Sequence, residues 1–119
     1  MARSLLIVDD DPAFRALARR MVSGTGLDVV GEADGAAAGA ARADELEPDA
    51  ILVDVGLPDG SGIDLAYELA GRPWRPRVVL VSSDPDAGPR PRGDGQPALP
   101  FVPKAELPNA PLDRLLRDG

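Results

Sequence analysis

The sequence predicts an α/β domain, a doubly wound sheet of five parallel strands with helices on both faces. Two observations carry this reading. Short hydrophobic runs at Leu5–Val8, Ile51–Val53, Val78–Val81 and Phe101–Pro103 have the length and continuity of strands buried on both faces. Segments of helical period separate the first three, so the alternation β-α-β-α-β-α-β implies parallel strands with right-handed crossovers.

The elements follow in order. Leu5–Val8 is the first strand, and Asp11 and Pro12 then read as N-cap and first residue of a helix. Phe14, Leu17, Ala18 and Met21 share one helical face, and Gly24 closes the helix. Leu27-Asp28-Val29-Val30 is a second, more polar strand, expected near an edge. Asp34 is placed to cap a weakly amphipathic, alanine-rich helix from about Gly35 to Glu47, stopped by Pro48. The central strand spans Asp49–Val55, and Gly56–Gly60 is a loop. Ser61 caps a helix carrying Ile63, Ala66, Leu69 and Ala70, and Arg77–Val81 is the fourth strand. Beyond Ser83 the pattern breaks: eight of the thirteen prolines fall between Asp84 and Pro111, a density no ordinary helix survives. Leu99–Val102 is still expected as a fifth strand, at an edge because Pro100 and Pro103 restrict its pairing. A short final helix spans Pro111–Arg117. The whole chain, 1–119, reads as one domain with no linker to a second.

Each apolar run ends on a polar group: Asp9-Asp10-Asp11, Asp54, Ser82-Ser83 and Lys104. Open α/β sheets bind ligands beyond the carboxyl ends of their strands, so these residues are expected to converge on one edge. Carboxylates, a hydroxyl and one amine together suit a divalent cation and a phosphate. Composition narrows the chemistry further. The chain has no cysteine and no histidine, which excludes thiolate sites, serine–histidine hydrolysis and a role as phosphohistidine donor. A net charge of −7 argues against binding nucleic acid or anionic membranes. The first apolar run is too short for a signal peptide or a membrane span, and a cytoplasmic location is expected.

The motifs resemble those of the receiver domain of bacterial response regulators over nearly the whole chain, from Leu5 to about Leu116. Leu5-Leu6-Ile7-Val8-Asp9-Asp10-Asp11 resembles that family's acidic pair after strand one. Asp54-Val55-Gly56-Leu57-Pro58-Asp59-Gly60 resembles the phosphoacceptor aspartate and its loop. Ser82 falls at the hydroxyl position ending strand four, and Phe101-Val102-Pro103-Lys104 resembles the aromatic switch position and the lysine after it. The resemblance implies a flavodoxin-like (CheY-like) sheet of order 2-1-3-4-5. It implies a stand-alone receiver of a two-component or phosphorelay system.

A sensor histidine kinase or phosphotransfer protein would then donate the phosphoryl group. Asp54 would be the phosphoacceptor, forming an acyl phosphate, and Lys104, the only lysine, would stabilise charge on the transferring group. Ser82 would hydrogen-bond the bound phosphoryl group. Magnesium suits the acidic set, being an octahedral ion that takes one or two carboxylates together with phosphate oxygens. By resemblance, Asp10, Asp54 and the Gly56 backbone carbonyl would be direct ligands, with Asp9 acting through water. The same resemblance implies that Gly56 and Asp84 occupy positions that tune access of hydrolytic water. Phe101 is equally readable as a switch residue or as core filling.

Asp11 reads as a plain helix cap, Ser83 as a packed or loop residue, and Tyr67 and Trp74 as residues that pack or sit at a helix end, with no role assigned. Self-phosphorylation and autodephosphorylation would be the only catalysis, and output would pass through contacts with another protein, the chain itself being a monomer or weak dimer. Two features depart from the family: Asp84–Pro97 is expected to be an irregular loop where a fourth helix normally stands, and Ala105 replaces a proline. These departures keep open a phosphorylation-independent interaction domain. A haloacid-dehalogenase-type phosphatase, for which Asp9-Asp10-Asp11 formally contains the Asp-x-Asp pattern, ranks last because no cap domain and no second acidic pair at strand four are present.

Overall fold

The computed structural model describes residues 3–88, 99–107 and 112–117. Its elements are β1 (Arg3–Val8), α1 (Pro12–Val22), β2 (Leu27–Ala33), α2 (Ala36–Leu46), β3 (Ala50–Asp54), β4 (Gly56–Leu57), β5 (Gly60–Ser61), α3 (Gly62–Ala70), β6 (Arg77–Ser82), β7 (Phe101–Pro103), a 3₁₀ turn (Lys104–Glu106) and α4 (Leu112–Arg117). The main sheet has the order β2-β1-β3-β6-β7, all parallel. With the two-residue hairpin β4–β5 set aside, this is the flavodoxin-like order 2-1-3-4-5.

Alternation along each buried strand divides the core into two layers. Leu5, Ile7, Leu52, Val79, Val81 and Val102 face Phe14, Ala18 and Val22 of α1 and Leu112 and Leu116 of α4. Leu6, Val8, Ile51, Val53, Val78 and Leu80 face Ala43 of α2 and Leu65, Ala66 and Leu69 of α3. Each large side chain so buried contributes roughly 1.5–3 kcal/mol. No helix among the described residues is long and apolar enough to cross a membrane.

Several expectations are corrected. β2 does not stop at Val30. The β1–β2 register slips between Leu5 and Leu6, leaving Val30 unpaired and exposed, and pairing resumes at Gly31 and runs to Ala33. The extra residue is a bulge, which interrupts alternation and so hides the strand's second half from a period-two reading. Leu17 is exposed, because the buried stripe of α1 is Phe14–Ala18–Val22 and Leu17 lies about 100° around the helix from its centre. The fifth strand starts at Phe101, with Pro100 offering only its carbonyl, which accepts from the Leu80 amide. Residues 83–88 carry no helix, while 89–97 of the expected loop and Pro111 lie outside the described residues.

Asp34 does not cap α2. Gly35 is the N-cap residue and supplies no side-chain bond. The cap comes from Asp59 in the β4–β5 turn, whose carboxylate accepts from the Ala36 and Ala37 amides at 2.6 and 3.1 Å. Those two bonds hold the Asp59 carboxyl below its ordinary pKa. Asp59 therefore stabilises the fold when ionised, and its contribution is lost as pH falls through its lowered pKa. Asp59→Asn is expected to melt below the wild type at neutral pH, with the gap closing in acid; thermal melts at several pH values check this.

Candidate functional site

Register brings the strand ends together. Val8 pairs with Val53, so Asp9 and Asp54 leave neighbouring strands one step beyond the same row. Asp54 pairs with Val81 and Ser82 with Pro103, which puts Ser82 and Lys104 on the same edge. Carboxylate oxygens of Asp9, Asp10 and Asp54 lie within 4.8 Å of one another. Asp9 is fully buried, Asp54 nearly so, and Asp10 is exposed.

Asp9 is fixed from every side. Its Oδ1 accepts from the Asp11 amide at 2.9 Å, and its Oδ2 lies 2.8 Å from Lys104 Nζ. Its amide donates to Ala33, and its carbonyl accepts from Arg15 Nη1 at 2.6 Å. Arg15 is itself anchored to Glu32, which also pairs with Arg19. Burial works to raise the pKa of Glu32, but the two guanidiniums outweigh it and hold the carboxyl low. Asp11 caps α1 through the Ala13 amide, as its position beside Pro12 indicated.

Asp54 sits in a more ambivalent field. Burial and the Asp9 charge raise its pKa, Lys104 Nζ at 3.7 Å and the Gly56 amide pull it back, and Asp10 raises it again. The net direction is upward. An acid whose pKa is raised on folding costs stability once ionised, and the cost disappears as pH falls through the raised value towards the ordinary carboxylate range. Without divalent cations, Asp54→Asn is accordingly expected to melt above the wild type near neutrality, with the advantage shrinking in acid. Magnesium should raise the wild-type Tm and leave the Asn variant much less changed. Calorimetry with and without chelator reads both effects.

Gly56 is exposed, with nothing within 4 Å of where a Cβ would stand, so the approach to Asp54 from that side is open. Ser82 is nearly buried, and its Oγ accepts from the Asp84 amide at 3.0 Å; Asp84 in turn accepts from the Asp86 amide. Ser83 is an exposed loop residue. Phe101 is half-buried against the second core layer, and a Cβ on Gly88 would come within 2.8 Å of its ring, so the loop backbone lies directly against it. Trp74 packs on the second core layer, with Nε1 donating to the Pro48 carbonyl, and the half-buried Tyr67 hydroxyl accepts from the Leu99 amide.

Two contributors were missed from sequence. Gly62 opens α3 against the Asp54 backbone, where a Cβ would stand 1.9 Å from the Asp54 carbonyl oxygen. A glycine directly after the Ser61 cap, where the helix itself asks for none, was the available signal. Arg15 gave no signal, since its carbonyl partner depends on how α1 lies across the β1 loop.

Comparison with known proteins agrees with this geometry. The family model of the response regulator receiver domain matches residues 5–108. The chain is 36% identical over 83 residues to the DNA-binding transcriptional activator DevR/DosR of Mycobacterium tuberculosis, covering 70% of this chain and 38% of that protein. It is 39% identical over 80 residues to the KDP operon transcriptional regulatory protein KdpE of Escherichia coli, covering 67% and 34%. The chain thus spans a little over a third of the length of these two relatives. Among solved structures, the response regulator PhyR from Brucella abortus superposes with a TM-score of 0.75 at 25% identity, over 98% of this chain and 48% of that one. The signal receiver domain of NarL from Mycobacterium tuberculosis gives 0.65 at 30% identity, over 72% of each chain. With the family matched from the first strand to the turn beyond Lys104, and its acidic cluster and lysine meeting at one sheet edge, this chain belongs to the response regulator receiver domains of two-component systems.

Proposed function

We propose that this chain accepts a phosphoryl group on Asp54 from a phosphohistidine donor, a sensor histidine kinase or a phosphotransfer protein. The observation that carries the reading is the position of Asp54: nearly buried, beside two further carboxylates, with Lys104 Nζ at 3.7 Å and an open approach over Gly56. An Asp54 carboxylate oxygen attacks phosphorus, the P–N bond breaks, and its electron pair returns to the donor imidazole, which takes up a proton. Asp9 is unsuited to attack because both its oxygens are engaged, by the Asp11 amide and by Lys104. This also counts against the Asp-x-Asp phosphatase reading.

Three carboxylates this close fit a hard divalent cation. Asp10 and Asp54, with the Gly56 carbonyl, would hold magnesium, and Asp9 would act through water. The ion would neutralise the acidic cluster and the charge on the phosphate oxygens. Lys104, whose Nζ lies 3.7 Å from Asp54, would support charge on the phosphoryl group, and Ser82 would exchange its bond from the Asp84 amide for one to that group. The chain's catalysis is limited to this self-phosphorylation and to hydrolysis of the Asp54 acyl phosphate, which releases inorganic phosphate. Output passes to a protein partner across the face that holds Phe101 and residues 84–88.

Incubation with magnesium and acetyl phosphate, read by intact mass, tests the proposal. The wild type is expected to gain one phosphate and Asp54→Asn none. A wild type that takes up neither phosphate nor magnesium would turn the reading to a phosphorylation-independent interaction domain.

A further inference from the structure

The ammonium of Lys104 has a third neighbour besides Asp9 and Asp54. It stands over the ring of Phe14, 4.3 Å from the centroid. Phe14 is buried in the first core layer on α1, and the Lys104 side chain is itself only 16% exposed. We propose that Phe14 is a positioning residue for phosphoryl transfer: its ring face holds the Lys104 ammonium in the cleft. This rests on the phosphoacceptor reading of Asp54.

An aliphatic side chain at residue 14 would fill most of the same core volume, but only an aromatic ring offers a negative face to a cation. Lysine loses considerable rotamer freedom when it is fixed. Here the carboxylate of Asp9 draws the ammonium from one side at 2.8 Å, the ring covers another, and the side chain is left only 16% exposed. Attraction between ammonium and carboxylate strengthens as water is excluded. The amine is thereby placed before a phosphoryl group arrives, so less ordering remains to be done on binding. A lysine free to swing into solvent would have to be recaptured each time.

Lys104 is the chain's only lysine, so side-chain 13C labelling of lysine gives a single probe of this contact in the intact chain. In the wild type and in Phe14→Tyr, the Lys104 ε-methylene protons are expected upfield from the ring current; in Phe14→Leu the shift disappears. In parallel, beryllofluoride affinity in magnesium is expected to weaken about 3- to 10-fold in Phe14→Leu and to stay near wild type in Phe14→Tyr. Thermal melts confirm that each variant is folded, and Phe14→Met replaces the leucine variant if that one is not. An unshifted Lys104 in the wild type overturns the proposal, as does unchanged affinity in a folded non-aromatic variant. Failure of the wild type itself to take up beryllofluoride overturns the phosphoacceptor reading and this proposal together, whereas wild-type uptake matched by Phe14→Leu overturns this one alone.

Discussion

Gly62→Ala is expected to damage both the fold and the proposed phosphoacceptor. The added methyl would lie 1.9 Å from the Asp54 carbonyl oxygen and 2.8 Å from both the Asp54 carbonyl carbon and Val55 Cα. All three atoms are backbone, so no side chain can rotate away to make room. The first turn of α3 and the end of β3 would have to separate, and the bond from the Gly62 amide to the Val55 carbonyl would go with them. Overpacking against backbone of this kind costs about 3 kcal/mol or more. For a domain of this size that lowers Tm by roughly 10 °C. Because the displaced atoms belong to Asp54 itself, beryllofluoride binding should fall even in the protein that remains folded. Gly56→Ala, with open space around the new methyl, should melt close to the wild type. Equal melting of Gly62→Ala and wild type would mean that α3 does not approach β3 this closely in solution.

Lys104→Met is expected to show how far the fold relies on one amine. Asp9 is fully buried, and one of its oxygens faces Lys104 Nζ at 2.8 Å. Methionine keeps most of the apolar stem and removes the charge. A buried carboxylate that loses its partner costs about 3 kcal/mol, most of it the penalty of an uncompensated charge. The decisive comparison is with the double variant. Asp9→Asn together with Lys104→Met removes the stranded charge and should be more stable than Lys104→Met alone, although it carries one more substitution. Magnesium should also recover part of the loss in Lys104→Met by neutralising the cluster. Activity should not follow stability in the same way, since both variants remove the amine proposed to support charge on the phosphoryl group. Transfer from acetyl phosphate is expected to slow about 100-fold in each. Identical melting of the single and double variants would show that the Asp9–Lys104 pair contributes nothing to the fold.

The sequence by itself determined the sheet and the contents of its functional edge. Apolar runs such as Leu5–Val8 and Val78–Val81 are buried on both faces, so their composition alone marks them as strands, and the residue that ends each run must emerge at the carboxyl edge. Asp9, Asp54, Ser82 and Lys104 were legible for that reason, as were the local caps by Asp11 and Ser61, whose partners lie within three residues. Tertiary structure alone decided the rest. The cap on α2 comes from Asp59, more than twenty residues along the chain, while the adjacent Asp34 makes no such bond. The bulge at Val30, the clamp of Arg15 on the Asp9 carbonyl, the closeness of Gly62 to Asp54 and the ring of Phe14 beneath Lys104 are likewise contacts between elements. Hydrophobic period and strand-end identity are local properties that a chain carries in its order. How closely two backbones approach, and which side chain then reaches which charge, is set only when the helices settle on the sheet.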